Sequence, residues 1–541
     1  MSAESDLLLR VLDALWREDH LGLHTNGSLT GQWWEAPLPD GRVVRFPVRP
    51  DGFLADHAVA EPRLVVGERV LTTLTEVLAE LAPRNDEEAE AGWASFTEEC
   101  AQTLATVRLH DAARPELYAK VDPGATGFSG LLDFEALAAL RDHPVHPTGR
   151  CRWGMSESEL RRYAPEFLPS FRLQWTAVPR EKLNLSPALA GELPGWWPDL
   201  EGDDFAVPVH PLTVERLGLS TVDLPGLDVT PTLSTRTVAL HAEPGTHLKL
   251  PLPTATLGAR NKRSIKPGTL ADGDAVHRLL QKILDRESGL AANVLLADES
   301  AWLDSADEML AVLIRRYPAE IANDTLVPAA ALLAEDPHRP ESTLLDRFSG
   351  GDVEAWFDSY LTALLDWHVA LWLRYGVALE SHQQNITVAF GQSVRLVYKD
   401  DDGARIDRAR LEAALGEPAG PFADERIAVS DPAELADMFT TITLHLCVAA
   451  PIVASGRRSL FALARRRLEE AVERWHDPAD AGSRAAVDLL RRKVLDADRL
   501  PIKAMVTSGT LLPKHRLGCT DINKHYRYSG PNYLRGGSDV R

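Results

Sequence analysis

A polar hexapeptide, Glu380-Ser381-His382-Gln383-Gln384-Asn385, interrupts an apolar stretch, and a run of acids beginning at Asp400 follows the next β-like segment. Desolvated polar side chains destabilise a fold unless something satisfies them, and local patterns are most often broken where a protein works. Asn and Asp supply hard oxygen ligands, the kind magnesium takes beside phosphate oxygens. Asn385 and Asp400 therefore point to nucleotide chemistry. The catalytic loop and metal-binding aspartate of a protein kinase give the same spacing, with Glu380 in the place of the catalytic acid.

A second group is cationic. The segment HLKLPLPTATLGARNKRSIK (residues 247–266) carries Lys249, Arg260, Lys262, Arg263 and Lys266 with no carboxylate among them, and would attract a small anion. Lys249, the Thr256 hydroxyl and Arg260 together make a clamp for phosphate or carboxylate. Upstream, Ser234, Arg236 and Thr237 in STRTV fall where alternate residues of one strand face a ligand. HPVHP holds His143 and His146 between prolines. Its plain reading is a rigid loop with surface imidazoles, since no third and fourth ligand at suitable spacing follow to complete a metal site.

The elements that must position these residues follow from periodicity. The chain to about residue 130 is mostly helical in pattern, with the acidic RNDEEAEAG (residues 84–92) as a solvated turn. Residues 130 to 215 are rich in loops and proline. Residues 228 to 256 alternate β-formers with polar residues and predict paired strands. Helical patterns resume near Gly273 and run to about 316, and AAALLAEDPHRPEST (residues 330–343) marks a boundary or surface loop. Trp356, Phe357, Tyr360, Leu361, Leu364, Leu365, His368, Leu371, Trp372 and Tyr375 keep helical spacing before Gly376, a buried helix with a stop signal. VALESHQQNITVAF and SVRLVYKDD then predict a hairpin across Gly391, placing the polar cluster and Asp400 near its opposite ends. The rest, to about residue 500, is helical, and its Arg/Glu-rich stretch reads as a solvated face.

The 541 residues are 45% hydrophobic and 25% charged, enough for two to four globular domains. The net charge of -21 would repel a polyanion, so nucleic acid is not an expected partner. Cys100, Cys151, Cys447 and Cys519 form no CxxC pair, which argues against a zinc site or disulfide framework. The amphipathic first residues lack the apolar core of a signal peptide, and no run of about 18 apolar residues supports a membrane span. A cytoplasmic protein with no membrane partner is expected.

In order, HPVHPTGRCRWGMSESELRRYAPEF, VPVHPLT, STRT, HLKLPLPTATLGAR, ESHQQN and YKDDDG resemble the IucA/IucC family of siderophore synthetases, also called NRPS-independent (NIS) siderophore synthetases. The resemblance covers about residues 130 to 405 and extends to LPIKAM near 500. It implies an α+β, multi-domain cradle of thumb, fingers and palm, with mixed and antiparallel sheets and a helical C-terminal part. The corresponding domains are residues 1–130 (mostly helical), 131–330 (His-Pro motifs and phosphate-contacting strands) and 331–541 (ESHQQN and KDDDG motifs). Three departures stand out: Arg260 comes one residue early after Lys249, Lys399 replaces the usual arginine before the metal-binding aspartate, and LLPKHRLGC and SGPNYL fit poorly.

Family members use ATP to adenylate a carboxylate, usually citrate or a derivative, and join it to an amine, hydroxylamine or alcohol. The resemblance implies that Ser234, Arg236, Thr237 and Lys249 contact the nucleotide phosphates and that Thr256 and Arg260 stand between phosphate and carboxylate. It puts His382 at the adenylation centre and Gln384 and Asn385 on the nucleotide. Asp400, Asn385 and Glu380 would serve Mg²⁺, and His146 and Arg152, with His143 and Arg150, would lie toward the substrate. It also implies a homodimer. Competing functions are a kinase-like phosphotransferase acting on a small molecule and a non-catalytic binder of nucleotide or carboxylate.

Overall fold

The computed structural model describes residues 1–122, 124–339, 341–519 and 525–535. The last residues of the third expected domain, 536–541, lie outside them. The architecture is α+β, as the resemblance implies. An eight-stranded antiparallel sheet runs in the order Leu183–Leu185, Asp298–Ser305, Val312–Arg316, Thr246–Lys249, Thr237–Leu240, Val222–Pro231, Phe171–Pro179, Asp204–Val209. A four-stranded sheet takes Val294–Leu296, Val394–Tyr398, Ile386–Phe390 and Thr325–Pro328, with its first pair parallel. This second sheet draws strands from both sides of the expected boundary at 330, and one apolar core extends from Phe53 to Leu534. The predicted division therefore does not cut the packing.

Three sequence expectations need correcting. Residues 28 to 71 form a six-stranded sheet, not helices: in Val43–Pro50 exposed Val43 and Arg45 alternate with buried Val44 and Phe46, a period-two signal hidden between genuine helices at Ala3–Arg17 and Leu74–Glu80. The acidic run at 84–92 opens the helix Glu87–Lys120, where Asp86 caps the N-terminus and Glu87, Glu88 and Glu90 face the positive end of its dipole. After helix Thr269–Arg286, the chain from 294 to 316 forms three strands, Val294–Leu296, Asp298–Ser305 and Val312–Arg316, runs too brief for a helix.

The helix Val353–Ala370 buries most of its residues and widens into a π-helical turn, Leu371–Tyr375, that ends on Gly376 at φ 67°. Within it, burial pushes the His368 imidazole down to about 3. Above pH 6.5 both folded and unfolded chains hold it neutral; below that, only the unfolded chain takes the proton, so stability falls with pH. His368→Phe is expected to lose about 2 kcal/mol less stability than the wild type between pH 6.5 and about pH 5, read from urea midpoints at the two values.

Among the described residues one helix, Ala433–Ala454, is long and apolar enough on average to cross a bilayer, but polar residues interrupt it and 89% of its apolar window is buried inside the protein. Pro451 lies within it and has no N–H to donate. The carbonyl of Cys447 instead accepts from Tyr360 Oη at 3.0 Å, and that of Leu446 from Gln383 Nε2.

Candidate active site

A cavity of about 560 Å³ opens where the eight-stranded and four-stranded sheets meet the C-terminal helices. The hairpin Ile386–Phe390/Val394–Tyr398 pairs Ile386 with Tyr398, and Lys399 N donates to Asn385 O at 3.1 Å. Asn385 and Asp400 thus share the open end of the hairpin rather than opposite ends. Residues 381–383 are docked onto the proline-interrupted helix: Cys447 Sγ donates to Ser381 O at 3.2 Å and Gln383 takes the Leu446 carbonyl. Gln383→Leu leaves that carbonyl buried without a donor, and a loss of about 1–3 kcal/mol in unfolding free energy is expected by denaturant titration.

His382 lines the cavity. Its Nδ1 accepts the Gln384 N–H at 3.3 Å, which leaves the ring proton on Nε2. Burial pushes the imidazole below its ordinary range despite Glu380 and Asp400. It is a neutral hydrogen-bond donor.

Asp400 sits in the left-handed region at φ 62°, a strained position for a non-glycine residue. Its N–H donates to Glu299 Oε1 at 3.0 Å. Lys249 Nζ stands 2.6 Å and Arg315 Nη2 2.7 Å from Asp400 Oδ1, so Oδ2 has no partner among the described residues. Burial alone raises the carboxyl, but Arg315 and Lys249 outweigh it and hold Asp400 well below the usual carboxylate range. Lys249 also reaches Asp402 at 3.4 Å, and Lys399 turns away to Glu135 at 3.2 Å and Tyr317 at 3.3 Å. Glu135 in turn accepts the Leu233 N–H at 2.8 Å, tying the hairpin end to the STRT segment.

STRT is a turn, not a strand face. Ser234 to Arg236 connect two strands with Thr235 at φ 65°, and only Thr237 is in the ladder. Ser234 and Arg236 reach the cavity, while Thr237 Oγ1 stands 3.0 Å from Ser234 Oγ. Thr235 Oγ1 accepts from Arg152 Nε at 2.8 Å, and Arg152 pairs with Glu166 at 2.7 Å.

The largest correction concerns Arg260. It is not among the lining residues; its guanidinium donates to Thr510 O and its N–H to Gly509 O. Arg263 faces the cavity instead, bonded to Thr256 Oγ1, and burial pushes it down to about 9, still cationic at neutral pH. A bulge in the short ribbon Leu252–Ala255/Lys262–Arg263 shifts the register, which spacing alone does not reveal. Gly258 at φ 113° makes that loop possible: a Cβ there would lie 2.8 Å from the Gly509 backbone.

His143 and Arg150 line the cavity but His146 does not. His146 is packed inside the protein, not at its surface, and His143 is half-buried in the cavity wall. His143 Nδ1 accepts the N–H groups of Val145 and His146, and Arg10 and Arg17 of the N-terminal helix hold this loop through its carbonyls. Glu18, at the end of the same helix, accepts the N–H groups of Val506 and Thr507 at 3.1 and 2.8 Å, fixing the strand that brings Lys503 to the cavity. Glu380 faces Lys503 at 3.6 Å and lies against Gly403, where a Cβ would stand 2.7 Å from its Oε2. Sequence reasoning missed Arg315, Glu299, Asp402 and Lys503; the acids of the KDDDG run were the one legible signal among them.

The model of the IucA / IucC family matches residues 130–334, and that described as ferric iron reductase FhuF-like transporter matches 354–517. Staphyloferrin B synthase of Staphylococcus aureus is 25% identical over 461 residues, 76% of this chain and 77% of that one. The rhizobactin siderophore biosynthesis protein RhbC of Rhizobium meliloti is 28% identical over 338 residues, and the aerobactin synthase of Escherichia coli 26% over 315. The chain matches 56% and 54% of the length of these last two. Petrobactin biosynthesis protein AsbB from Bacillus anthracis shares the fold with a TM-score of 0.77 at 16% identity, covering 98% of this chain and 95% of that one. ATP-bound aerobactin synthetase IucA from Klebsiella pneumoniae does so at 0.70 and 19%, covering 98% and 99%. The motifs and these likenesses agree: residues 130–334 carry the sequence of the IucA / IucC family, and the chain shares the fold of these synthetases.

Proposed function

We propose that the protein is an ATP-dependent, AMP-forming ligase that joins a carboxylate to an amine, hydroxylamine or alcohol in siderophore biosynthesis. The observation that carries this reading is a single cavity in which Ser234, Arg236, Lys249 and Arg263 stand opposite a neutral histidine donor, His382. Relatives named as siderophore synthases and as a D-ornithine–citrate ligase support the ligation chemistry, and a structural neighbour described as ATP-bound supports the nucleotide.

The reaction has two steps. A carboxylate oxygen attacks the α-phosphorus and pyrophosphate leaves; the acceptor then attacks the acyl carbon, AMP leaves, and one proton is released. The first step brings anions together. Lys249, Arg236 and Arg263 offset that repulsion, and each donor of this kind is worth about 3 to 4 kcal/mol in the transition state. His382 Nε2–H donates to the oxygen on which charge develops at the acyl carbon. With Nδ1 tied to a backbone N–H, it orients and stabilises rather than accepting the acceptor's proton.

The residues suit a magnesium ion arriving on the nucleotide. Asp400 Oδ2, Asp402 and the Asn385 amide oxygen are hard donors at the cavity wall, and no group of three or more His, Cys, Asp or Glu among the described residues could cage a metal alone. Magnesium is typically held by one or two carboxylates plus phosphates. When bound, it would neutralise phosphate charge. Glu380, engaged by Lys503, supports the loop.

A kinase-like reading draws only on the Glu380, Asn385 and Asp400 spacing and leaves the Arg263 and Arg236 wall unused. Incubation with Mg-ATP, citrate and a panel of amines and amino alcohols separates the two. AMP with pyrophosphate is expected; ADP would overturn the ligase assignment.

A further inference from the structure

The cavity has a second compartment that the nucleotide chemistry does not use. Its wall is built by Phe53, Ile442, Leu446, Val453, Ile502 and Met505, from helix Ala433–Ala454, the strand Arg499–Lys503 and a loop of the N-terminal sheet. Gln383, next to His382, reaches across to Leu446 O, so this apolar wing opens beside the reacting centre.

The polar side chains around the wing, Gln383, Thr441 and His445, each already make a hydrogen bond within the protein. His445 contacts Tyr533 Oη at 3.0 Å through Nδ1 and Pro501 O at 2.8 Å through Nε2, and burial pushes it down to about 4. Thr441 Oγ1 donates to its own helix at Asp437 O. The two carbonyls that Pro451 leaves open are taken by Gln383 and Tyr360. A purine needs donors and acceptors along its edge, and this wall offers it none.

The cavity's carboxylates are equally occupied. Asp142 pairs with Arg10 at 2.8 Å and Arg150 at 3.0 Å, Glu166 with Arg152, Glu380 with Lys503, Asp400 with Lys249 and Arg315, and Asp402 with Lys249. Each of these acids already has a cationic neighbour, so a second ammonium would have to displace that cation or enter the apolar wing unpaired, and burying an unpaired charge is costly.

From this juxtaposition we infer that the apolar wing is the acceptor subsite, and that it selects nucleophiles carried on a hydrocarbon chain with no second charge. The inference rests on the ligase reading and narrows its acceptor class: alkylamines, N-alkylhydroxylamines or alkanols rather than diamines or amino acids. The wing also strips water from the attacking nitrogen, which favours its neutral, nucleophilic form where His382 supplies no base.

A matched pair tests this on the full chain: n-hexylamine and hexamethylenediamine, which differ by one terminal ammonium. With Mg-ATP and citrate or succinate, kcat/KM is expected to favour hexylamine by on the order of a hundredfold. Calorimetric titration of the two amines should rank them the same way without turnover. Val453→Asp, at a half-buried position, and Met505→Glu should each shift the preference toward the diamine while carboxylate-dependent ATP–pyrophosphate exchange, which needs no acceptor, persists and reports a folded site. Equal or greater use of the diamine by the wild type overturns the inference, as does a Val453→Asp protein whose KM for ATP rises with its acceptor ranking unchanged. Absence of exchange with every acid would instead count against the ligase reading, and the calorimetric ranking would still decide the subsite.

Discussion

Arg263→Ala should lower the rate of AMP release by about 10²–10³-fold, while Arg260→Ala keeps it within a few-fold. The two arginines are three residues apart in the same basic run, yet their surroundings differ. Arg263 is half-buried at the cavity wall with Thr256, and Arg236 donates to the carbonyls of Arg263 and Ser264 at 3.3 and 3.0 Å, so the guanidinium is held by a preformed frame. A preorganised donor in a water-poor site acts on developing charge without reorganising. Arg260 instead straps its loop to the Gly509–Thr510 backbone, and alanine there keeps the backbone bond to Gly509 and removes one side-chain hydrogen bond worth about 1 kcal/mol to stability. Chromatographic quantification of AMP, with melting curves for both variants, distinguishes the two roles.

Asp400→Asn should be the most damaging single substitution for both stability and activity. Lys249 and Arg315 are buried and share Asp400 Oδ1; an amide leaves both short of a counter-charge. Breaking such a buried arrangement costs about 3–5 kcal/mol, and magnesium-dependent protection by ATP against heat should disappear. Adding Lys249→Met removes one uncompensated cation, while Glu299 still holds Arg315. The double variant should therefore regain stability but no AMP formation. If it recovers neither, the ionic cluster is not what Asp400 supports.

Much of this site was legible because polar residues that break a strong apolar pattern have few structural reasons to be there. The 381–385 loop, Lys249 and Asp400 belong to that class, and Gly376 closed its helix as the sequence requires. What remained hidden depends on backbone detail. The bulge that presents Arg263, the left-handed Thr235 that turns STRT into a corner, and the strand–strand pairing that buries Arg315 are set by tertiary context. The N-terminal sheet was masked because its strands are short and flanked by helices with much stronger periodicity.

The contact between Glu18 and the amides of Val506 and Thr507 spans 488 and 489 residues of sequence. At about 5–20 residues per second of ribosomal synthesis, the nascent chain waits on the order of half a minute or more between making the carboxylate and making the groups that satisfy it. Until then Glu18 must stay hydrated, and the segment that carries Lys503 and Met505 does not yet exist. The wall that Lys503 and Met505 supply is thus raised long after the helix that anchors it, and a chain ended before Val506 would leave Glu18 without the amides it accepts.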